Sequence, residues 1–163
     1  MAASELPAEL PMTAAGGEAR PLSEWLINFQ MLAVVLDPYT YESSWILDTA
    51  GRILTNFTGS SVRTSLVMTC DEDGAKEFLG PWFDKMMVFV DPDRTFARAA
   101  ELESLPAFVH VRQNLRLAGV AEGWEPAAWR TIAHEVAEER HWSRPIIPAG
   151  GDPIPYEGSP ALG

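Results

Sequence analysis

Apolar positions in the middle of the chain form short continuous runs that alternate with helical repeats. Residues 31–36 are a continuous apolar run that ends at Asp37, a pattern typical of a strand buried on both faces of a parallel sheet. Apolar residues then recur at helical spacing over 41–57, with Thr40 or Ser43 available as the N-cap. The pattern therefore predicts a β-strand followed by an α-helix.

The same strand-then-helix arrangement is predicted twice more. Residues 65–69 form the next short apolar run, and an acidic first turn follows Cys70 before a second helix. Residues 86–90 form a third strand, and Asp91 and its neighbours cap a third helix. Right-handed crossovers place these three strands parallel in one sheet.

The pattern changes after Leu105 and Pro106. Two apolar runs, 107–111 and 115–121, flank a turn at 113–114 and predict an antiparallel hairpin. A final helix begins at Pro126, with apolar residues at i, i+3, i+4, i+7 and i+8 on one face. The element order predicts an α/β fold with a central mixed sheet and helices on both faces.

The two ends of the chain show no helical or strand periodicity. We expect residues 1–20 to be a flexible lead-in, residues 21–142 to form the domain, and residues 143–163 to run extended. The last segment holds five prolines, which prevent a helix or a central strand. Its apolar residues include Ile146, Ile147, Ile154 and Tyr156. A pure linker would be more polar, so we expect these residues to dock on the chain's own domain or on a partner.

Charge and composition exclude several functions. The chain has 163 residues, with 23 acidic against 12 basic side chains and a net charge of -11, which disfavours nucleic acids and anionic membranes. The longest uncharged apolar run, 25–36, is shorter than the roughly 20 residues that span a bilayer. The first twenty residues do not resemble a secretory signal, so we expect a cytoplasmic protein.

The chain also lacks the usual motifs for metals and cofactors. Its single cysteine, Cys70, excludes an intrachain disulfide and an all-cysteine metal site. The three histidines have no zinc-site spacing, and the sequence has no glycine-rich phosphate loop. We therefore expect neither a metal nor a cofactor.

Three segments together resemble the thioredoxin-like superfamily, in particular its thiol-disulfide and peroxiredoxin-like branch. Residues 38–43 (Pro-Tyr-Thr-Tyr-Glu-Ser) resemble the Pro-Trp-Cys-x-x-Cys active-site turn. Residues 105–108 (Leu-Pro-Ala-Phe) resemble the cis-proline loop, and residues 120–124 resemble the glycine-containing turn after the hairpin. The resemblance covers roughly residues 22–140. It implies a thioredoxin-like fold in which Pro106 is cis and lies beside the turn.

The chain departs from this family where the chemistry occurs. The resemblance puts Thr40 and Ser43 at the two cysteine positions, and a hydroxyl cannot form a mixed disulfide. The family's apolar groove remains, with a cis-proline loop whose backbone pairs with an extended peptide. The resemblance thus implies a binding surface formed by Tyr39, Thr40, Tyr41, Glu42, Ser43, Leu105 and Pro106.

Two functional hypotheses follow. The first is a redox-inactive protein without catalytic residues that binds protein partners, as an accessory subunit, scaffold or maturation chaperone of a larger cytoplasmic enzyme assembly. Accessory factors in hydrogenase maturation provide an analogy of type, and a homo-oligomer is also compatible with this hypothesis. The second is a one-cysteine thiol oxidoreductase or peroxidase that uses Cys70, with Thr40 polarising the substrate. Thr40 as a structural cap and Cys70 as an inert, partly buried thiol are the structural alternatives.

Overall fold

The computed structural model describes residues 2–163, which contain nine strands and six helices. The elements in chain order are β1 (Pro11–Ala14), β2 (Ala19–Pro21), α1 (Leu22–Trp25), β3 (Gln30–Leu36), α2 (Ser43–Thr55), β4 (Val62–Met68), α3 (Glu72–Leu79), α4 (Trp82–Lys85), β5 (Met87–Val90), α5 (Thr95–Ala99), β6 (Ser104–Leu105), β7 (Ala107–Val111), β8 (Leu117–Glu122), α6 (Pro126–Arg140) and β9 (Ser159–Pro160).

Seven strands form one mixed sheet in the order β2-β1-β5-β4-β3-β7-β8. β3, β4 and β5 are parallel, as the repeated strand-then-helix pattern predicts. β7 pairs antiparallel with both β3 and β8. Leu36 lies opposite Met68 at the carboxyl ends of β3 and β4. The segments that follow these two strands therefore begin at the same edge of the sheet.

The central strand β3 is buried on both faces, as its continuous apolar run predicts. Leu32 and Val34 point into the core beneath α2, α3 and α6. Ala33 and Val35 point into a second core formed with α1, α5 and the N-terminal segment. The two cores cover both faces of the sheet, which confirms the predicted layering.

The expectation of a flexible lead-in over residues 1–20 is wrong for the part that the structure describes, and Met1 lies outside the described residues. β1 pairs antiparallel with β2 and with β5, so the segment extends the sheet. Leu6, Leu10 and Met12 are buried in the second core. Single leucines separated by small and polar residues give no periodic signal, although each one buries apolar area.

The predicted cap of α2 is also wrong. The helix begins at Ser43 after Glu42, and no side chain caps its first turn. Thr40 therefore lies two residues before the N-cap, and neither predicted hydroxyl accepts a bond from a first-turn N–H. The acidic start of α3 behaves as expected, because the Asp71 carboxylate accepts a hydrogen bond from the Gly74 N–H at 2.8 Å.

Candidate functional site

The turn between β3 and α2 holds two hydroxyls at the positions that the resemblance aligns with cysteines. The Thr40 Oγ1 and Ser43 Oγ atoms lie 2.7 Å apart, within hydrogen-bond distance. Thr40 Oγ1 also donates to the Asp37 carbonyl oxygen at 3.1 Å. Ser43 is buried and Thr40 is half-buried. The pair therefore satisfies itself through local hydrogen bonds and offers no thiol to a substrate.

A buried ion pair lies beneath this turn. Arg94 Nη2 donates to Asp37 Oδ2 at 2.8 Å, and only 14% and 4% of the two side chains are exposed. The other Asp37 oxygen accepts the Tyr39 N–H at 2.9 Å. Asp37 therefore fixes the turn by accepting a backbone hydrogen bond, and the Arg94 guanidinium balances its negative charge. The sequence does not predict the pairing of Arg94 with Asp37, because the two residues are 57 positions apart in the chain.

Three large aromatic side chains remain exposed around the start of α2. Tyr39 is 74% exposed, Tyr41 82% and Trp45 49%. Trp45 packs edge-on against Tyr41 on one side and Tyr156 on the other, with ring centroids 6.3 and 5.8 Å apart. The predicted binding residues Tyr39 and Tyr41 thus lie on an exposed aromatic surface, which we call the aromatic rim (Tyr39, Tyr41 and Trp45).

The cis-proline loop, where we expected a partner's peptide, pairs with the C-terminal segment of the same chain. The Leu105–Pro106 peptide bond is cis, as the resemblance predicts. The Pro106 carbonyl accepts the Gly123 N–H at 2.8 Å, so the loop is fixed to the turn that follows β8. Leu105 lies in β6, which pairs antiparallel with β9 near the C-terminus. The predicted peptide edge at Leu105 is therefore covered by the chain's own end.

The C-terminal segment docks on the domain of the same chain. Asp152 forms an ion pair with Arg52 at 2.8 Å and accepts a bond from Thr49 Oγ1 at 2.8 Å. Ile147 is buried, and the Tyr156 hydroxyl donates to the Glu42 carbonyl at 3.0 Å. Burial and the neighbouring Glu42 raise the pKa of Tyr156, so this hydroxyl keeps its proton.

The remaining two residues predicted to dock the C-terminal segment do not pack in the same way. Ile146 is 72% exposed and Ile154 is 83% exposed. Of the four, Ile147 and Tyr156 pack their side chains against the core, whereas Ile146 is held by its carbonyl, which accepts a hydrogen bond from Arg52 Nη1 at 2.7 Å. The segment is consequently bound at separated points along its length.

The only thiol lies at the second junction, after β4. Cys70 is 1% exposed and belongs to the core beneath α2 and α3. Burial, and to a smaller extent Asp71 and Asp37, raise the pKa of the Cys70 thiol to about 11. At neutral pH almost no thiolate forms, and the sulfur is closed off from solvent. This geometry does not favour nucleophilic chemistry at Cys70.

His110 is a second buried titratable group, and its surroundings also indicate a structural role. Its ring contacts Gln30 Oε1 at 2.5 Å, and it is 1% exposed on β7. Burial, followed by the charge of Arg112, lowers the pKa of His110 to about 4. Within residues 2–163, no cluster of three or more histidine, cysteine or acidic side chains is placed to hold a metal.

Comparison with known proteins finds similarity only at the level of structure. No protein-family model matches the chain, and no curated protein has a matching sequence. A putative thiol:disulfide interchange protein DsbE from Chlorobium tepidum matches with a TM-score of 0.66 at 13% identity, covering 86% of this chain and 97% of that chain. The bacterioferritin comigratory protein of Xanthomonas campestris, described for its alkyl peroxide reduction activity, matches with a TM-score of 0.67 at 13% identity, covering 86% and 99%.

A third solved structure extends the range of similar proteins. A secreted disulfide oxidoreductase of Mycobacterium tuberculosis matches with a TM-score of 0.60 at 15% identity, covering 80% of this chain and 96% of that chain. At these identities the similarity shows a shared fold and leaves the chemistry to be argued from the residues of this chain.

Proposed function

We propose that this chain, which has a thioredoxin-like fold, works by binding protein partners and not by thiol-disulfide exchange. In this proposal it serves as an accessory subunit, scaffold or maturation chaperone of a larger cytoplasmic enzyme assembly. Fold does not fix function, so the proposal depends on the residues at the site.

One observation carries the proposal: the only thiol, at Cys70, does not lie at the positions that the resemblance aligns with the reactive cysteines, which are Thr40 and Ser43. Thr40 and Ser43 stand at the start of α2, where a helix N-terminus would stabilise a thiolate, but both are hydroxyls bonded to each other. Cys70 has the sulfur but is buried, with its pKa raised to about 11. Disulfide exchange needs an accessible thiolate, and neither junction offers one.

The aromatic rim supports binding at this surface. Exposed aromatic side chains are enriched at protein interfaces because they bury a large area with little loss of side-chain entropy. Tyr39 and Tyr41 contribute little to the core of this chain, since most of each ring faces solvent. Their exposure next to the start of α2 supports a role in contact with a partner.

The charge distribution favours a partner surface with basic side chains. The net charge of -11 repels acidic partners, and opposite charges across an interface steer association.

A cytoplasmic location is part of the proposal. No helix in residues 2–163 is long and apolar enough to cross a membrane. The similar protein from Mycobacterium tuberculosis is secreted, so proteins with this fold are not confined to the cytoplasm and the location of this chain has to be measured. Cell fractionation of the tagged native protein tests it, and recovery outside the cytoplasmic fraction would contradict this part of the proposal.

The test of the proposal is native affinity purification of three full-length proteins. They are the wild type, Cys70→Ala and the double variant Tyr41→Ala/Trp45→Ala, each resolved on reducing and non-reducing gels. We expect one stoichiometric partner with the wild type and with Cys70→Ala, and a loss of at least about tenfold with the double variant, equivalent to roughly 1.4 kcal/mol. Reconstitution from purified components then measures the affinity directly.

Three other outcomes would contradict the proposal or a part of it. Partners held as disulfides by the wild type and absent from Cys70→Ala would show that Cys70 reacts. Equal recovery by all three proteins would show that the aromatic rim is not the contact surface. If a second copy of the chain is the only partner recovered, the contact surface serves a homo-oligomer and the accessory role is wrong.

A further inference from the structure

The C-terminal segment pairs with the cis-proline loop as an added strand. Leu105 lies opposite Ser159, and Ser104 opposite Pro160, in antiparallel register. The Ala161 N–H extends this pairing by donating to the Glu103 carbonyl at 2.9 Å. An extended peptide that adds to an exposed strand edge makes the same kind of backbone contact.

Tyr156 and Ala161 anchor the two ends of this strand. Tyr156 exchanges two backbone hydrogen bonds with Trp124, at 2.8 and 3.1 Å, and its ring packs against Trp45 of the aromatic rim. Ala161 is 1% exposed in the second core, and its carbonyl accepts a bond from Arg94 Nη1 at 2.8 Å. Arg94 also pairs with Asp37, so the docked strand reaches the ion pair beneath the candidate site.

Gly158 permits the closest approach of this strand to the loop. Its φ is +92°, and a Cβ atom there would lie 2.2 Å from the Leu105 carbonyl oxygen. Any side chain would therefore push the strand away from the loop. Gly151 has almost the same φ, +91°, but a Cβ there would meet nothing within 4 Å. The two glycines thus share a positive φ that disfavours any side chain, but only Gly158 lies against the cis-proline loop.

Few side chains hold the strand to the domain. Between the anchors, Glu157 and Pro160 are exposed, and on either side of the anchors Ile154 is 83% exposed and Leu162 is 54% exposed, so none of them adds much buried area. Most of the attachment is backbone pairing, together with one aromatic ring and one small buried residue. Such a strand can be exchanged for a peptide that presents the same features.

We infer that residues 156–161 are an internal ligand of a peptide-docking site and compete with a partner for it. The occupant that fits is an extended peptide with an aromatic residue, a glycine two positions later and an alanine or similarly small residue five positions after the aromatic. The inference rests on the proposed function in assuming that the site serves a partner. Beyond the proposed function, it specifies the peptide pattern that the partner presents, and it makes release of the C-terminal strand a condition of binding.

The experiment measures binding of a fluorescent synthetic peptide with the sequence of residues 153–163 to full-length proteins. These are the wild type, Gly158→Ala, and Gly151→Ala as the matched control for backbone strain. A tethered segment has an effective concentration of about the millimolar order, which weakens apparent binding of a free competitor. We expect Gly158→Ala to bind the peptide at least about tenfold tighter than the wild type and Gly151→Ala do.

Hydrogen exchange in the same proteins shows whether the strand has been released. In Gly158→Ala, the amides of Trp124 and Ala161 should exchange faster, because their acceptors are the Tyr156 and Glu103 carbonyls. In Gly151→Ala they should exchange as in the wild type. A peptide carrying the same Gly158→Ala change should bind none of the proteins.

Two results would overturn the inference. One is that the strand is released in Gly158→Ala but the peptide binds it no tighter than the wild type. The other is that the strand stays protected in Gly158→Ala. Neither result depends on a cellular partner. The proposed function is tested separately, by affinity purification and by measuring turnover of thiol-dependent substrates.

Discussion

The two junctions at one edge of the sheet, after β3 and after β4, separate what a thiol enzyme must combine. The first carries an exposed aromatic rim and a helix start, but its reactive position is Thr40 bonded to Ser43. The second carries Cys70, but α3 begins almost immediately and buries it. Thiol catalysis requires a lowered pKa and access at one atom, and this chain divides the two requirements between neighbouring loops.

The largest expected difference between the junctions is in thiol reactivity. At pH 8, the single cysteine of Thr40→Cys/Cys70→Ala should react with an aromatic disulfide reagent more than about a hundredfold faster than Cys70 in the native wild type. The reason is that the pKa of Cys70 is raised to about 11, whereas a cysteine at position 40 is partly exposed at a helix start. Stopped-flow absorbance measures both rates.

Unfolding both proteins in denaturant provides the control, because the two rates should then become similar. The Cys70 rate in the native protein should also rise about tenfold per pH unit up to roughly pH 10, since the thiolate is the reactive form. Equal native rates at positions 40 and 70 would contradict the comparison.

The next effect concerns the ion pair that supports the first junction. Replacing Arg94 with Met leaves Asp37 as an uncompensated buried charge, which should lower the free energy of unfolding by about 3–5 kcal/mol. Urea denaturation followed by tryptophan fluorescence measures it. The control is Glu139→Gln, which breaks the exposed Arg112–Glu139 pair and should cost less than about 1 kcal/mol. Similar losses in both variants would show that Asp37 and Arg94 are not buried as described.

A smaller effect is expected at the second junction. Cys70→Ser places a hydroxyl in the apolar surroundings of the thiol, which should lower the free energy of unfolding by about 1–3 kcal/mol. Cys70→Ala adds no polar group and should cost less than Cys70→Ser. If the serine variant is as stable as the alanine variant, position 70 is reached by water and the comparison fails.

The smallest stability effect is expected on the aromatic rim. Tyr41 is 82% exposed, so Tyr41→Ala should change the free energy of unfolding by less than about 0.5 kcal/mol. The same variant should weaken partner binding. Thermal unfolding of the purified protein measures the first effect, and a large destabilisation would indicate that the ring supports the fold instead of a partner.

The sequence predicts the middle of this fold well because its signals there are local. The continuous apolar run of β3 and Pro126 at the first position of α6 each follow from neighbouring residues. These features need no knowledge of distant contacts.

The features that the sequence does not predict depend on distant contacts. The bond between Arg94 and Asp37 joins residues 57 positions apart. β1 and β9 are short and pair through backbone atoms, which leave no side-chain pattern. Gly158 is the one residue whose conformation marks the docking of the C-terminal strand, and a single glycine in a proline-rich segment is a weak signal by itself.

A turnover measurement tests whether the protein works without thiol chemistry. Reduced wild type and Cys70→Ala are incubated with hydrogen peroxide, an alkyl peroxide and a disulfide substrate, each with an external thiol reductant. We expect the wild type to consume these substrates no faster than Cys70→Ala does. Repeated turnover by the wild type that is absent from Cys70→Ala would contradict it.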